Sequence, residues 1–225
     1  MIPISDQDVK GAGPGYVTIG LVLINIAIFL YQLTLGPQGL ESFFHQFAVQ
    51  PAEILQGQQL YTLLTSMFLH GGWLHIISNM IFLWIFGDNI EAVLGRAMYA
   101  VFYIAGGVFA SAIHVLMNPG SAVPSLGASG AIAAVLGAYI VMFPHARVKT
   151  LLFIGFFFTV TRVRAFFFLG LWALIQVWSG VSELGRMTDD AGGVAFWAHI
   201  GGFVFGLVVG FLLRDRAASL EIERA

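Results

Sequence analysis

The chain has 225 residues, of which 58% are apolar or aromatic and only 10% are charged, whereas an ordinary soluble domain carries about 25% charged residues. So little polar surface cannot cover a water-soluble globule, and the composition therefore predicts an integral membrane protein. A net charge of −2 offers no basic surface for nucleic acid. The absence of cysteine excludes disulfides, a thiolate zinc site and a cysteine nucleophile.

Six charge-poor apolar stretches have the length of a membrane-spanning helix, which needs about 20 residues with a range near 17–25. The sequence therefore predicts an all-α bundle of six transmembrane helices over residues 16–213, preceded by an N-terminal tail, 1–15, and followed by a C-terminal tail, 214–225. A further apolar stretch, 151–160, is too short to cross as a helix, and we expect it to lie in the membrane interface. The six predicted spans are 16–35, 73–91, 97–117, 127–143, 165–181 and 194–213.

The basic residues predict the orientation of the bundle. Six spans place both termini on one side of the membrane, and nine of the ten Lys and Arg residues then share that side, opposed only by Arg186. Because Lys and Arg are concentrated in cytoplasmic loops, we expect both termini to be cytoplasmic and the protein to reside in the plasma membrane of a bacterium. The nine residues are Lys10, Arg96, Arg147, Lys149, Arg162, Arg164, Arg214, Arg216 and Arg224.

Polar side chains inside the predicted spans are candidates for function, because an unpaired polar group is costly in hydrocarbon. No Asp, Glu, Lys or Arg lies in a span core, which excludes a protease with paired aspartates. His75 and Asn79 are four residues apart and so share one face of the second span. Ser129 lies in the motif Gly127-Ala128-Ser129-Gly130 at the start of the fourth span, and His199 lies in the sixth.

The polar groups of three different spans are predicted at nearly the same depth. Ser129 and His199 each lie 15 residues before the end of their helix on the predicted basic side, which is a distance of about 22 Å at 1.5 Å per residue. By the same rise, His75 lies about 20 Å from the corresponding end of its own helix. In a hydrocarbon core about 30 Å thick, Ser129 and His199 would lie about 8 Å below the opposite edge. Small residues at four-residue spacing favour close packing of the fourth and sixth helices: Ser129, Ala133 and Gly137 in one, and Gly202, Gly206 and Gly210 in the other.

Three motifs resemble those of the rhomboid family of intramembrane serine proteases. His70, His75 and Asn79 are similar to the family's second-helix pattern, Gly127-Ala128-Ser129-Gly130 to its nucleophile motif, and Ala198-His199-x-x-Gly202 to its sixth-helix pattern. The resemblance extends over residues 16–213, with the motifs in the family's order and on the corresponding spans.

Two positions depart from the family pattern. Leu60-Tyr61 stands where the first loop usually carries a Trp-Arg pair, which leaves the anchoring role of that arginine without a counterpart. Ala133 stands where one bacterial branch has a tyrosine that packs on the catalytic histidine. We therefore expect another aromatic side chain, Trp197 or a phenylalanine, to support the ring of His199.

The resemblance implies an intramembrane serine endopeptidase that cleaves the transmembrane segments of other membrane proteins in the lipid bilayer. It implies a dyad of Ser129 as nucleophile and His199 as general base, with no metal and no cofactor. It also implies an oxyanion hole formed by His75, Asn79 and the backbone N–H of Ser129, with His70 and Gly127 in supporting positions. The sequence leaves the oligomeric state open.

Access to such a site is expected from the side opposite the termini. The short fourth span and the glycines of the loop 182–193 favour a flexible entrance beside the fifth span. If the fifth span is a gate, loosening its aromatic contacts, as in Trp172→Ala, should speed cleavage or leave it unchanged.

Two other functions stay open at this point. One is a non-catalytic, rhomboid-like scaffold that binds membrane helices; such relatives typically lose the serine or the histidine, and this chain keeps both. The other is a zinc site built from His70, His75 and His199, which would lack an acidic ligand. The His-Glu-x-x-His pattern of a common metalloprotease helix is absent from the chain.

Overall fold

The computed structural model describes residues 1–7, 9, 13–154, 157–183, 195–218 and 220. A 3-10 turn, Ser66–Phe68, follows the last of three short helices in the first loop. In chain order the helices and strands of this part of the chain are β1 (Ile2–Ser5), α1 (Tyr16–Thr34), α2 (Pro37–Phe47), α3 (Pro51–Leu55), α4 (Thr62–Thr65), α5 (Trp73–Leu94), α6 (Arg96–Met117), α7 (Ser129–Met142), β2 (Arg147–Ile154), β3 (Phe157–Arg164), α8 (Ala165–Glu183) and α9 (Phe196–Ala218).

The predicted bundle of membrane helices is confirmed. Among the described residues, five helices are long and apolar enough to cross a membrane, namely α1, α5, α6, α8 and α9. The remaining predicted span is α7, whose 14 residues extend about 21 Å, less than the thickness of a hydrocarbon core. Nearly every side chain of α7 is buried, so this short helix forms the centre of the bundle and its neighbours face the lipid.

Small residues bring α7 and α9 into backbone contact, as the sequence pattern predicts. Gly202 faces the carbonyl oxygen of Gly130, and Gly206 faces that of Ala134, so closely that a Cβ at either glycine would collide with the carbonyl. Gly137 of α7 faces the backbone of Phe203 in the same way. Without a hydrophobic driving force between helices in lipid, such close van der Waals packing is a main source of association.

Gly206→Ala tests this packing. The added methyl group would meet backbone atoms of Ala134, and backbone cannot rotate away as a flexible side chain can, so the two helices must separate. We expect a loss of about 1–3 kcal/mol in the free energy of unfolding, the usual cost of overpacking. Thermal or denaturant unfolding in detergent micelles would measure it.

The matched control is Gly20→Ala in α1, where no atom of the described residues lies within 4 Å of the added Cβ. Alanine is the better helix former by about 0.8–1.0 kcal/mol, so this variant should be as stable as the wild type or slightly more stable. Equal stability of Gly206→Ala and Gly20→Ala would contradict the packing described here.

The described residues also form a three-stranded antiparallel sheet, which was not predicted from the sequence; its strands are β1, before α1, and β2 and β3, which connect α7 to α8. Its order is β1-β2-β3, and β2 and β3 form a hairpin from the pair Arg147 and Arg164 to the pair Ile154 and Phe157. Residues 147–150 of β2 are alternately exposed and buried, the pattern of a strand with one covered face. The described residues of the stretch 151–160, namely 151–154 and 157–160, therefore belong to paired strands and not to a seventh helix.

The strand β1 and the end of α9 lie at the end of the bundle that carries this sheet. β1 pairs with β2, and Asn89 near the end of α5 donates a hydrogen bond of 2.9 Å to the carboxylate of Asp6. Arg216, near the end of α9, contacts the sulfur of Met98 at the start of α6. Seven of the nine basic residues of the predicted basic side lie at this end of the bundle, at the ends of helices or in the strands between them, so we name this end of the bundle the basic end. The other two, Lys10 and Arg224, and the opposing Arg186 lie outside the described residues.

The first loop is folded and is joined to the segment before α7. Val49 and Ser125 exchange two backbone hydrogen bonds, and Thr65 donates a hydrogen bond of 2.7 Å to the carbonyl of Phe47. Tyr61, at one of the positions that depart from the family pattern, donates one of 2.9 Å to the carbonyl of Gln46. A tyrosine hydroxyl thus anchors the loop where the family pattern has an arginine.

Candidate active site

Ser129 and His199 meet at the end of the bundle opposite the basic end. Ser129 is the first residue of α7 and His199 lies in the first turn of α9. The close approach of Gly202 to Gly130 brings these two helix starts together. The Oγ of Ser129 lies 2.7 Å from the Nε2 of His199, which is hydrogen-bond distance. His199 is 8% exposed and Ser129 is half-buried, so the imidazole is shielded from bulk solvent.

The second ring nitrogen of His199 has a partner that was not predicted from the sequence. Its Nδ1 lies 2.7 Å from the Oε1 of Gln176 on α8. The Nε2 of Gln176 donates in turn to the carbonyl of Trp172, at 3.4 Å. A polar side chain in an apolar span was the signal that identified the other candidates, and the same signal is present at Gln176.

Two aromatic rings support His199. Trp172 of α8 lies 5.8 Å from it between ring centroids, and Phe196 lies 6.4 Å away, edge to face. Phe196 is thus the phenylalanine expected in this place. Trp197, the other candidate, lies against Gly180 of α8 instead.

Trp172→Ala should lower the rate of cleavage. The structure places the Trp172 ring against His199 and Phe203, so its removal leaves a gap beside the imidazole, and a misplacement of about 1 Å in a catalytic group costs up to about 100-fold. This reverses the expectation from the sequence, which treated Trp172 as part of a gate. Most of the loop 182–193 assigned to that gate lies outside the described residues.

Trp178→Ala is the control for this variant, because Trp178 lies on the same helix and is 78% exposed. It should cleave a membrane substrate at the wild-type rate. Equal rates for both variants, with both proteins folded, would show that the Trp172 ring does not hold His199.

Gly127 brings His75 close to Ser129. Gly127 has φ +130, a region that favours glycine, and its N–H donates a 2.9 Å hydrogen bond to the carbonyl of Ser66. A Cβ at this position would lie 2.6 Å from the Nε2 of His75 and 3.7 Å from the Oγ of Ser129. Only a residue without a side chain therefore lets the imidazole of His75 approach the Ser129 loop.

The hydrogen bonds of His75 indicate which of its nitrogens carries the proton. The backbone N–H of Gly71 donates to the Nδ1 of His75 at 3.4 Å, so Nδ1 accepts. A neutral imidazole has one N–H, which then lies on Nε2, the atom next to Gly127. His75 can therefore donate a hydrogen bond beside Ser129.

Asn79 and His70 form a buried pair behind His75. The Nδ2 of Asn79 lies 3.0 Å from the Nε2 of His70. Burial, reinforced by the neighbouring imidazole of His75, lowers the pKa of His70 to about 3, so His70 is neutral at neutral pH and accepts this bond. Gln32 of α1 holds the backbone of His70 through two hydrogen bonds, of 2.7 and 3.1 Å. One N–H of the Asn79 amide remains for another acceptor.

A narrow polar cavity of about 20 Å³ adjoins Ser129. Its lining includes the serines Ser66, Ser111 and Ser125. This volume is enough for about one water molecule, and such a water needs polar partners of this kind. A polar cavity is thus present beside the nucleophile candidate.

The histidines do not gather into a metal site. Within the described part of the chain, no group of three or more His, Cys, Asp or Glu side chains is arranged to hold a metal ion. Both nitrogens of His199 have partners, Ser129 and Gln176. The geometry therefore does not support the zinc site considered from the sequence.

Comparison with known proteins identifies the family. The family model described as the Rhomboid domain matches residues 57–216, which contain Ser129, His199 and the second-helix motif. The chain belongs to the Rhomboid family.

Three curated relatives illustrate the similarity. "Rhomboid protein 1, mitochondrial" of Saccharomyces cerevisiae is 30% identical over 223 residues, 94% of this chain and 57% of the relative. "Presenilin-associated rhomboid-like protein A, mitochondrial" of Danio rerio is 32% identical over 145 residues, 63% of this chain and 34% of the relative. "RHOMBOID-like protein 12, mitochondrial" of Arabidopsis thaliana is 27% identical over 215 residues, 88% of this chain and 56% of the relative. The rhomboid chain thus spans only about a third to three fifths of the length of these relatives.

The names of these relatives correct the predicted location. The charge pattern was interpreted as that of a protein in the plasma membrane of a bacterium, with cytoplasmic termini, and the relatives are named as mitochondrial proteins. The predicted location in a bacterial plasma membrane is therefore wrong. The charge pattern could not have revealed this, because it distinguishes the two sides of a membrane and says nothing about which membrane it is.

Proposed function

We propose that this rhomboid is an intramembrane serine endopeptidase, with Ser129 as the nucleophile and His199 as the general base. The observation that carries the proposal is the 2.7 Å distance between the Oγ of Ser129 and the Nε2 of His199. A serine hydroxyl is a weak nucleophile alone and requires an adjacent base. His199 would accept the hydroxyl proton during attack on a peptide carbonyl and return it to the leaving amine.

Three groups would stabilise the oxyanion that forms in this attack. The backbone N–H of Ser129 lies at the start of α7, where the first N–H groups have no acceptor within the helix and the helix dipole favours negative charge. The Nε2–H of His75 lies beside Gly127, and Asn79 has a second amide N–H. Donors that are fixed in place before the reaction, in a site shielded from water, usually contribute more to such catalysis than any other single effect.

The substrates would be transmembrane segments of other membrane proteins. The site lies at the start of the short central helix α7 in a bundle of membrane helices, so a peptide bond must reach it from within the bilayer. A helical segment would have to unwind locally, because its carbonyls are engaged and shielded. The cavity beside Ser129 would hold the water that hydrolyses the acyl intermediate.

A non-catalytic scaffold that binds membrane helices is the second candidate. A scaffold has no need for a serine hydroxyl at hydrogen-bond distance from a buried imidazole, which is the arrangement found here. The rhomboid chain keeps this pair, which favours the enzyme.

Labelling with a fluorophosphonate separates the candidates. We expect the wild-type protein to be labelled, Ser129→Ala to be unlabelled, and a chelator to have no effect. Ser182→Ala is the control, since the hydroxyl of Ser182 bonds the carbonyl of Trp178 one turn earlier, and it should be labelled as the wild type is. A folded wild-type protein that resists labelling would favour the scaffold, and loss of labelling with a chelator would favour a metal site.

A further inference from the structure

We propose that Gln176 is a positioning residue for the dyad. Its amide oxygen accepts a hydrogen bond from the Nδ1–H of His199, and this holds the imidazole in the tautomer whose Nε2 can accept the proton of Ser129. The inference rests on the proposed function, because it assigns Gln176 a task only if His199 is a base.

The orientation of the Gln176 amide follows from its two contacts. The carbonyl of Trp172 can only accept a hydrogen bond, so the group that faces it, at 3.4 Å, is the Nε2 of Gln176. The oxygen of the amide then faces His199, at 2.7 Å. One contact is made within α8 and the other with α9, and together they leave one orientation of the amide.

The tautomer of His199 follows from that orientation. An amide oxygen can only accept, so the Nδ1 of His199 must carry the hydrogen, and the Nε2 of a neutral imidazole is then free to accept. Ser129 lies 2.7 Å from this Nε2. In the other tautomer, Nδ1 and the oxygen of Gln176 would face each other as two acceptors, and no donor would satisfy either atom.

Burial makes this preference strong. Gln176 and His199 are each 8% exposed, so water cannot replace a lost partner. A buried donor without an acceptor loses its hydration with no hydrogen bond in return. The two side chains come from different helices, α8 and α9, so the bond also fixes the rotation of the ring with respect to Ser129.

An amide performs this task without a buried charge. Many serine hydrolases orient the base with a carboxylate, and an ionised carboxylate in the middle of a membrane helix is costly. The oxygen of Gln176 accepts the same hydrogen bond and carries only a dipole. Among the described residues, no Asp or Glu side chain bonds to His199, so Gln176 provides the acceptor for Nδ1.

Two substitutions distinguish positioning from packing. Gln176→Met keeps the length of the side chain and removes the oxygen, and Gln176→Glu keeps an oxygen acceptor. Purified full-length variants would be assayed on a model transmembrane substrate, with kcat and KM determined separately. We expect Gln176→Met to lower kcat about 10- to 100-fold with KM unchanged, and Gln176→Glu to retain a higher kcat than Gln176→Met. Leu174→Met, on the lipid face of the same helix, should match the wild type.

The ¹⁵N spectrum of the histidines provides a test that requires no substitution at Gln176. The signal of His199, assigned from its absence in His199→Ala, should show protonation on Nδ1 in the wild-type protein at neutral pH. Protonation on Nε2 would overturn the proposal, as would an unchanged kcat in Gln176→Met or a Gln176→Glu variant as impaired as Gln176→Met. Cleavage by Ser129→Ala would overturn the proposed function itself, and so distinguishes the two failures.

Discussion

Ser129→Ala should leave no measurable proteolysis, because without the Oγ no acyl intermediate can form. If the proposal is correct, the loss should be on the order of 10⁶-fold in kcat, the effect of removing the nucleophile from a well-studied soluble serine protease. The substitution removes one hydrogen bond, to His199, which contributes only about 0.5–1.5 kcal/mol to stability. The variant should therefore be folded and inactive.

His199→Ala should be nearly as severe. The hydroxyl of Ser129 has its described partner in His199, and no other side chain in the described part of the chain is placed to accept its proton. Purified variants assayed on a model transmembrane substrate would measure both effects, with Ser182→Ala as the active control. Full activity of Ser129→Ala would end the serine protease proposal.

The helices could be predicted from the sequence because a membrane imposes simple rules on it. A span must be about 20 residues long and nearly free of charge, and this chain marks its spans with charged residues and loops. The predicted span 165–181 thus corresponds to α8, Ala165–Glu183. The central helix was predicted as 127–143 and is Ser129–Met142, because Gly127 adopts a positive φ that a helix cannot contain.

The sheet could not be predicted by the same rules. Residues 151–160 are apolar enough for a membrane span. Their short length excluded a transmembrane helix, but it did not indicate a strand. The pairing of β1 with β2 joins Ile2 and Leu151, which are 149 positions apart in the sequence. No local periodicity contains that information.

Candidate site residues could be predicted where polar side chains of suitable chemistry lay at the same depth in the membrane. Ser129 and His199 lie on different helices, and the matched depth of the two polar groups is enough to suggest their contact from the sequence. Gln176 was missed because it belongs to none of the three motifs, although it is a polar side chain in an apolar span. The contact of Gln176 with His199 can be predicted only when the rotation of α8 about its own axis is known. The composition of an apolar helix with lipid on one side does not determine that rotation.

Single removal of an oxyanion donor should be milder than loss of the dyad. His75→Ala and Asn79→Ala should each lower kcat by about 10²–10³, or roughly 2.7–4 kcal/mol in the barrier, as expected when one of several donors is lost. The double variant should lose less than the sum of the two if both groups contact the same oxygen. Steady-state kinetics on purified variants would give these values.

The amide of Asn79 has a second task, because it also donates to the buried His70. Asn79→Ala therefore leaves an acceptor of His70 without its partner, which costs about 1–3 kcal/mol in stability apart from any effect on the oxyanion. His70→Ala separates the two roles, since it breaks the same hydrogen bond and leaves the Asn79 amide in place. We expect His70→Ala to lower the unfolding temperature and to reduce kcat less than Asn79→Ala does. If the two variants lose activity equally, or if Asn79→Ala is as inactive as Ser129→Ala, Asn79 acts by holding His70 and the first loop, and the oxyanion is bound by His75 and the backbone of Ser129.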